Sequence, residues 1–452
     1  MSQDLTVRDL STATRRRAVI AACIGNFIEY YDFVIYGYFA AVIAKLFFPA
    51  SNETVSLLLT FAAFALSYVA RPVGAVLFGM IGDKYGRRAP LTMAILLIAC
   101  CTAVIGLMPT YESIGIAAPI VLTLARLLQG VSVGGEYGGA LAFIAEYAPE
   151  RRRGLYTAWQ TVTIGLALIV GASVAAGLTG ALSTEALEAW GWRAPFLIGL
   201  PLGFIGLYMR LKLEETPHFQ AVQERMEVEK APLRTGVKQA WRQILICCGI
   251  MATPSLCIYI YFIYSPTYLS TELGYSAAAG QQINLIGLLF YCALVPVFAV
   301  LCDRIGRRPV LLAGALGVAV VTYPGFVALG ANNAVVATLA LCVMGLAFAP
   351  ISAASLVALA ESFPTTFRYT GVSLSLQITV TALGGTAPLL ATALIAGTGD
   401  VRSPALLVVA GGILSAVAAW AYRETVGQGL RQHVDDHPAQ ERVDTPAATP
   451  IH

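Results

Sequence analysis

Charge is scarce in this sequence: 12% of its 452 residues are Asp, Glu, Lys or Arg, against 57% hydrophobic. That balance is too apolar to clothe one or two domains in water. Histidine is scarcer still. His218, His433, His437 and His452 all lie outside the apolar runs, so the usual near-neutral proton carrier is missing from them. The nine cysteines keep no metal-ligand spacing, and inside apolar runs they serve as small packing residues. No nucleophile and base pair stands out, and Gly134-Gly135-Glu136-Tyr137-Gly138 sits in an apolar run with no Lys following, which excludes a phosphate cradle. An enzyme is therefore not expected, and neither a metal nor any other cofactor is called for.

Long apolar runs are abundant instead. Leu91 to Met108, Leu155 to Leu182 and Val310 to Leu329 approach or exceed the roughly 20 residues that cross a bilayer. They are rich in Ala, Leu, Gly and Val without strict polar alternation, so helices fit better than barrel strands. The pattern predicts twelve spans near 18–43, 55–80, 90–108, 117–147, 154–182, 192–211, 241–269, 279–302, 309–330, 333–361, 370–397 and 402–422. The Arg-rich start before the first run resembles a secretory leader, but the run continues through Glu29 and Asp32 and reads as the first span.

An even count puts both termini on one side. Arg15 to Arg17, Lys84, Arg87, Arg88, Arg151 to Arg153, Arg304, Arg307, Arg308 and Arg423 all fall there, so that face is expected to be cytoplasmic, in an inner membrane. The net charge of +3 follows from this bias and makes no case for nucleic acid. The domains expected are a cytoplasmic start at 1–17, a bundle at 18–211, a polar linker at 212–240, a second bundle at 241–422 and a disordered tail at 423–452.

The two bundles read as copies. Gly-Asp-Lys-Tyr-Gly-Arg-Arg at 82–88 is answered by Asp-Arg-Ile-Gly-Arg-Arg at 303–308. Ala-Glu-Tyr-Ala-Pro-Glu-Arg-Arg-Arg-Gly at 145–154 is echoed by Ala-Glu-Ser-Phe-Pro-Thr-Thr-Phe-Arg-Tyr-Thr-Gly at 360–371. Each pair occupies equivalent places in its half, which makes a duplicated six-helix unit.

These motifs carry a family resemblance. Gly79, Asp83, Gly86, Arg87 and Arg88 resemble the loop signature of the major facilitator superfamily, and Arg126, Gln129 and Gly130 resemble its second signature. Gly25-Asn26-Phe27-Ile28-Glu29-Tyr30-Tyr31-Asp32-Phe33, Arg71-Pro72-Val73-Gly74, Gln129 to Gly138, Trp190-Gly191-Trp192-Arg193 and Glu214-Glu215-Thr216-Pro217 resemble the metabolite:H+ symporter family, which includes proline/betaine, citrate, 2-oxoglutarate and shikimate transporters. The resemblance implies an all-α membrane protein of two pseudo-symmetric bundles rocking about a central site, with proton symport driving uptake.

An ionised side chain at mid-membrane costs about 3 kcal/mol on insertion scales and is a functional candidate by default. Glu29, Asp32, Arg71, Arg126 and Glu136 meet that description, and all lie in the first half, where the proton work is therefore assigned. Glu29, Asp32 and Tyr36 follow at helical spacing and are expected on one cavity-facing stripe. Arg71 is expected to neutralise Glu29 or Glu136, Asp32 or Glu136 to exchange the proton, and Arg126 to respond to it or to hold a substrate carboxylate; the alternative is a fixed ion pair that only specifies packing.

Tyr36, Gln160, Tyr261, Tyr264, Asn284 and Gln377 complete the expected substrate contacts with Arg126, Tyr264 belonging to an aromatic stripe with Tyr261 and Tyr268 that Pro254 and Pro266 can break. Asp83, Arg87, Arg88, Glu146, Asp303, Arg307, Glu361 and Arg368, with Gly79 and Gly86, are expected to form a cytoplasmic gate, its acids placed near helix N-termini.

The function expected is proton-coupled uptake of a small carboxylate-bearing solute by a chain acting as a monomer in lipid. A zwitterionic osmolyte such as proline or betaine is the runner-up substrate. A proton-antiport exporter and a metabolite-binding sensor are the competing functions.

Overall fold

The computed structural model describes residues 12–74, 77, 88–134, 141, 144, 145, 148–212, 233–363 and 368–427. These residues are overwhelmingly helical, with no strand among the described residues. The first half comprises Thr12–Tyr38 continued by Ala40–Phe47, then Glu53–Val69, Arg88–Leu107, Ala117–Val133, Arg153–Ala181 and Arg193–Lys212. The second comprises Leu233–Cys257 continued to Ser265–Thr271, then Ala277–Ile305, Arg307–Leu329, Ala334–Ser362, Arg368–Thr379 continued to Ala387–Thr398, and Pro404–Ala421. Leu59, Val104 and Leu124 in the first half and Val297, Val320 and Val417 in the second are exposed, each on a different span. Such an apolar girdle suits lipid and would aggregate in water.

Packing repeats between the halves. The third span lies on the sixth as the ninth lies on the twelfth, and the halves meet along two seams, the second span on the eleventh and the fifth on the eighth. Shifting each member by six spans converts one seam into the other, which is the pseudo-two-fold axis implied by the repeated motifs. Within the first half, the second and fourth spans touch backbone to backbone: a Cβ on Gly130 would run into the Ser67 carbonyl, and one on Gly74 into the Val131 carbonyl. This close approach explains both motif glycines and fixes Arg126 and Gln129 relative to Tyr68 and Arg71.

Three departures from regular helix have local causes or consequences. The first span, expected as one rod, bends by 65° between Tyr38 and Ala40. Beside the bend, Gly37 leaves room for the Ile263 side chain of the opposite half. The seventh span does not break at Pro254, which lies inside its helix; it passes instead through a π-helical stretch, Ile258–Tyr264, just before Pro266. Proline lacks an N–H and crowds the carbonyl four residues back, and a wider i→i+5 turn absorbs both defects. The eleventh span repeats the device at Val380–Gly385, before Pro388.

The expected disordered tail also needs correction at its start. Glu424 and Thr425 are held against the bundle: the Glu424 carboxylate accepts the backbone N–H groups of Arg307 at 3.0 Å and Arg308 at 2.9 Å, and Thr425 donates to Glu361 at 2.5 Å. Free N–H groups at a helix start attract a carboxylate, and this one comes from beyond the last span.

Candidate translocation site

The first span carries two acids, and they face different neighbours. Glu29 lies 4.0 Å from Arg71 of the second span, both nearly fully buried. Asp32 accepts hydrogen bonds from Thr102 of the third span and Gln129 of the fourth. The Tyr36 hydroxyl donates to the Thr60 carbonyl at 2.9 Å. All three side chains point into the first half, at helical steps of three and four residues, and each meets its own hydrogen-bond or ion-pair partner there.

Gln129 joins the charges. Its Nε2 donates to Asp32 and to Thr102 Oγ1 at 2.9 Å, while its Oε1 accepts from Arg126 Nη1 at 2.8 Å. A carboxylate accepts and a guanidinium donates, so this amide can stand between them in one orientation only. Asp32 and Arg126 are coupled through a neutral side chain. A cavity of about 10 Å³, the scale of one water, lies against Asp32 between Tyr31, Ala99, Thr102, Gly199 and Gly203.

Arg126 is fully buried, and its Nε and Nη2 have no hydrogen-bond acceptor among the described residues. Those two atoms form the side-on fork that matches a carboxylate bidentately. The guanidinium lies 3.8 Å from the Tyr36 ring centroid, and Arg71 lies 4.0 Å from that of Tyr68. Cation–π contact partly compensates two charges held away from water.

The other expected substrate residues scatter. Tyr264 meets Thr392 at 3.3 Å and the Phe61 ring of the first half. Tyr268 donates to the Val401 carbonyl. Tyr261 turns into the second bundle, its hydroxyl 2.5 Å from Thr322 and its ring against Phe348. Gln377 donates to the Gly134 carbonyl at 3.3 Å, across the halves. Gln160 is buried on the fifth span with its backbone carbonyl facing Asn26, and Asn284 is buried beside Tyr38. Glu136 lies outside the described residues.

At the basic end the halves are tied by an ion network. Asp303, closing the eighth span, accepts the backbone N–H groups of Gly154 at 2.8 Å and Leu155 at 2.9 Å, the first turn of the fifth span, and pairs with Arg307 at 3.1 Å. Glu361 pairs with Arg307 at 3.1 Å and with Arg153 of the opposite half at 2.7 Å. Arg368 donates to the Ala360 carbonyl at 2.9 Å. Asp83, Glu146, Gly79, Gly86 and Arg87 lie outside the described residues; Arg88 opens the third helix. Farther along, Tyr68 and Tyr259 share a hydrogen bond of 2.7 Å, Thr381 donates to the Tyr68 carbonyl, and Gln281 donates to the Tyr38 carbonyl. Among the described residues, the halves are therefore bridged at the basic end and again farther along the bundle.

Sequence reasoning missed Thr102, Tyr68, Arg153 and Glu424, and took Gln129 only as a signature residue. Two signals were present. Tyr68 stands one helical turn before Arg71, and Arg423-Glu424-Thr425 after the twelfth span echoes Glu214-Glu215-Thr216 after the sixth.

Two matched bundles of membrane-spanning helices, closed over paired buried charges, define a transporter of the major facilitator type. The chain belongs to the sugar (and other) transporter family, whose profile matches residues 18–241 and again 230–433. It is 36% identical over 443 residues to the proline/betaine transporter of Salmonella typhimurium, covering 95% of this chain and 87% of that protein. It is 35% identical over 443 residues to the glycine betaine/proline/ectoine/pipecolic acid transporter OusA of Dickeya dadantii, with the same coverage of 95% and 87%. Among solved structures, the proton:xylose symporter XylE bound to 6-bromo-6-deoxy-D-glucose superposes with a TM-score of 0.76 at 18% identity, covering 93% of this chain and 98% of that one. That likeness supports the fold.

Proposed function

We propose that this chain is a proton-coupled uptake transporter for a small zwitterion that carries a carboxylate and an alkylated ammonium. The observation that carries the proposal is the open fork of Arg126, linked through Gln129 to Asp32. A solute carboxylate docks on Nε and Nη2, and a proton binds Asp32. Neutralising Asp32 leaves Arg126 without its negative counterpart and favours the incoming anion; by reciprocity the anion favours the proton. Both ligands then load together, which is the sign required for symport. Glu29 and Arg71 remain a pair that holds the first and second spans together.

The expected preference for an organic acid gives way to the runner-up substrate. Arginines alone read as an anion site, whereas the relatives carry names of proline and betaine transporters, and zwitterions satisfy the same fork. The excess of Lys and Arg at the end bearing Asp303 and Arg153 favours placing that end in the cytoplasm, with both termini there and the chain in the inner membrane. One chain supplies both halves and acts as a monomer.

The test is Asp32→Asn in proteoliposomes. Betaine counterflow persists at a reduced rate and accumulation driven by a pH gradient disappears. Accumulation at the wild-type level would remove Asp32 from the scheme.

A further inference from the structure

Five rings gather around the two buried arginines: Phe33, Tyr36, Phe64 and Tyr68 from the first half, and Tyr259 from the second. Phe64, Tyr68 and Tyr259 close a triangle with centroids 5.3, 5.6 and 6.2 Å apart and interplanar angles from 52° to 85°. In tilted and edge-on pairs, positively polarised ring hydrogens sit on a negative π face. The methyl groups of an alkylammonium are polarised the same way, so such a cation is a direct replacement for one ring edge. The cluster already attracts cations: Arg71 lies 4.0 Å from the Tyr68 centroid and 4.8 Å from that of Phe33, and Arg126 lies 5.4 Å from Phe33 and 5.9 Å from Phe64.

The triangle is divided between the halves. Its seam is the Tyr68 to Tyr259 hydroxyl contact at 2.7 Å, so parting the halves at this level uncovers π faces and rejoining them encloses whatever has entered. A fully methylated ammonium has no N–H to donate and is not held by hydrogen bonds to acids. Ring faces within about 6 Å hold it. Arg126, 5.9 Å from Phe64, stands within the length of one small zwitterion of these rings, with its fork open for the other end.

We propose that Phe64, Tyr68 and Tyr259 form the receptor for the methylated ammonium of a zwitterion whose carboxylate docks on Arg126, and that this triangle sets a preference for N-methylated solutes over secondary amines such as proline. The proposal rests on the transport reading above and adds the residues that choose among its substrates. Tyr259 is the informative position, because it is the ring that the second half brings to the cation.

Betaine and proline uptake by reconstituted wild type, Tyr259→Phe and Tyr259→Leu gives the ratio of kcat/KM for the two solutes, which does not depend on how much of a variant folds. Tyr259→Leu lowers the betaine-to-proline ratio about tenfold, a scale between an exposed and a fully desolvated cation–π contact. Tyr259→Phe, which keeps the ring and loses the hydroxyl, holds the ratio within about twofold. In wild type alone, tetramethylammonium chloride competes with betaine, and sodium chloride at equal ionic strength does not. An unmoved ratio in Tyr259→Leu, an equal fall in Tyr259→Phe, or no competition by tetramethylammonium overturns the ring assignment while transport stands. Failure of wild type to accumulate either solute overturns the transport reading and this assignment with it.

Discussion

Asp303→Asn puts the closure of the basic end to a quantitative test. Both Asp303 oxygens accept backbone N–H groups from the opposite half, at 2.8 and 2.9 Å, and the same carboxylate pairs with Arg307. Asparagine offers one oxygen, and its NH2 group faces a backbone N–H, donor against donor. One charge-assisted hydrogen bond is lost and one N–H is left unpaired, each worth about 1.5–3 kcal/mol and 1–3 kcal/mol respectively, with water able to recover part once the halves separate. A net shift of about 2 kcal/mol moves the closed-to-open equilibrium at this end by a factor of about 30. Spin labels at Arg151 and Arg304, both exposed, in a background without native cysteines report the separation by electron–electron resonance. Asp303→Asn gains a long-distance population that is minor in the parent. An unchanged distance distribution would mean that these contacts do not hold the halves together.

Three further outcomes follow from the same geometry. Gln129→Leu severs the link between Asp32 and Arg126 and leaves both short of a partner, so pH-driven accumulation falls at least tenfold and thermal stability drops by about 1–3 kcal/mol; retained coupling would show that the amide carries nothing. Gly130→Val forces the second and fourth spans apart at Ser67, and detergent-solubilised variant should fail to give the monodisperse peak of wild type in size exclusion; a normal peak contradicts the backbone contact. Burial raises the Glu424 carboxyl, but backbone N–H groups of Arg307, Arg308, Val426 and Thr425 outweigh it and hold the group below its ordinary 4.5. A depressed folded value means its contribution is complete above pH 4.5 and fades as pH falls through the lower folded value. The Tm gap between wild type and Glu424→Gln therefore narrows on acidification below pH 4.5, and a gap that widens there refutes the capping role.

The membrane architecture was legible because apolar runs and repeated loops are properties of the chain itself. Gly82 to Arg88 and Asp303 to Arg308 repeat one pattern in the sequence whatever surrounds them. Ionised residues were legible for a similar reason, since Asp32 or Arg126 within an apolar run is conspicuous alone. Their partners were not. Thr102 is unremarkable in sequence, Gln129 stood out only as a signature residue, and only the fold brings their side chains to Asp32. The directions of the seventh-span tyrosines were not legible because 3.6-residue spacing does not hold through the π stretch before Pro266, where Tyr261 meets Thr322 of the second half while Tyr259 and Tyr264 lie against the first. The aromatic cluster was not legible either: Phe64, Tyr68 and Tyr259 come from spans of different halves, and only the fold assembles them.

Movement of H+ driven by solute probes the shared use of Arg126 and Asp32 most directly. Proteoliposomes holding wild-type protein, with a trapped pH dye and no initial pH gradient, receive external betaine under a clamped membrane potential. Inward betaine should acidify the lumen in proportion to solute entry, and Asp32→Asn should abolish the acidification. Betaine entering wild-type vesicles with the lumen pH unmoved would contradict the account.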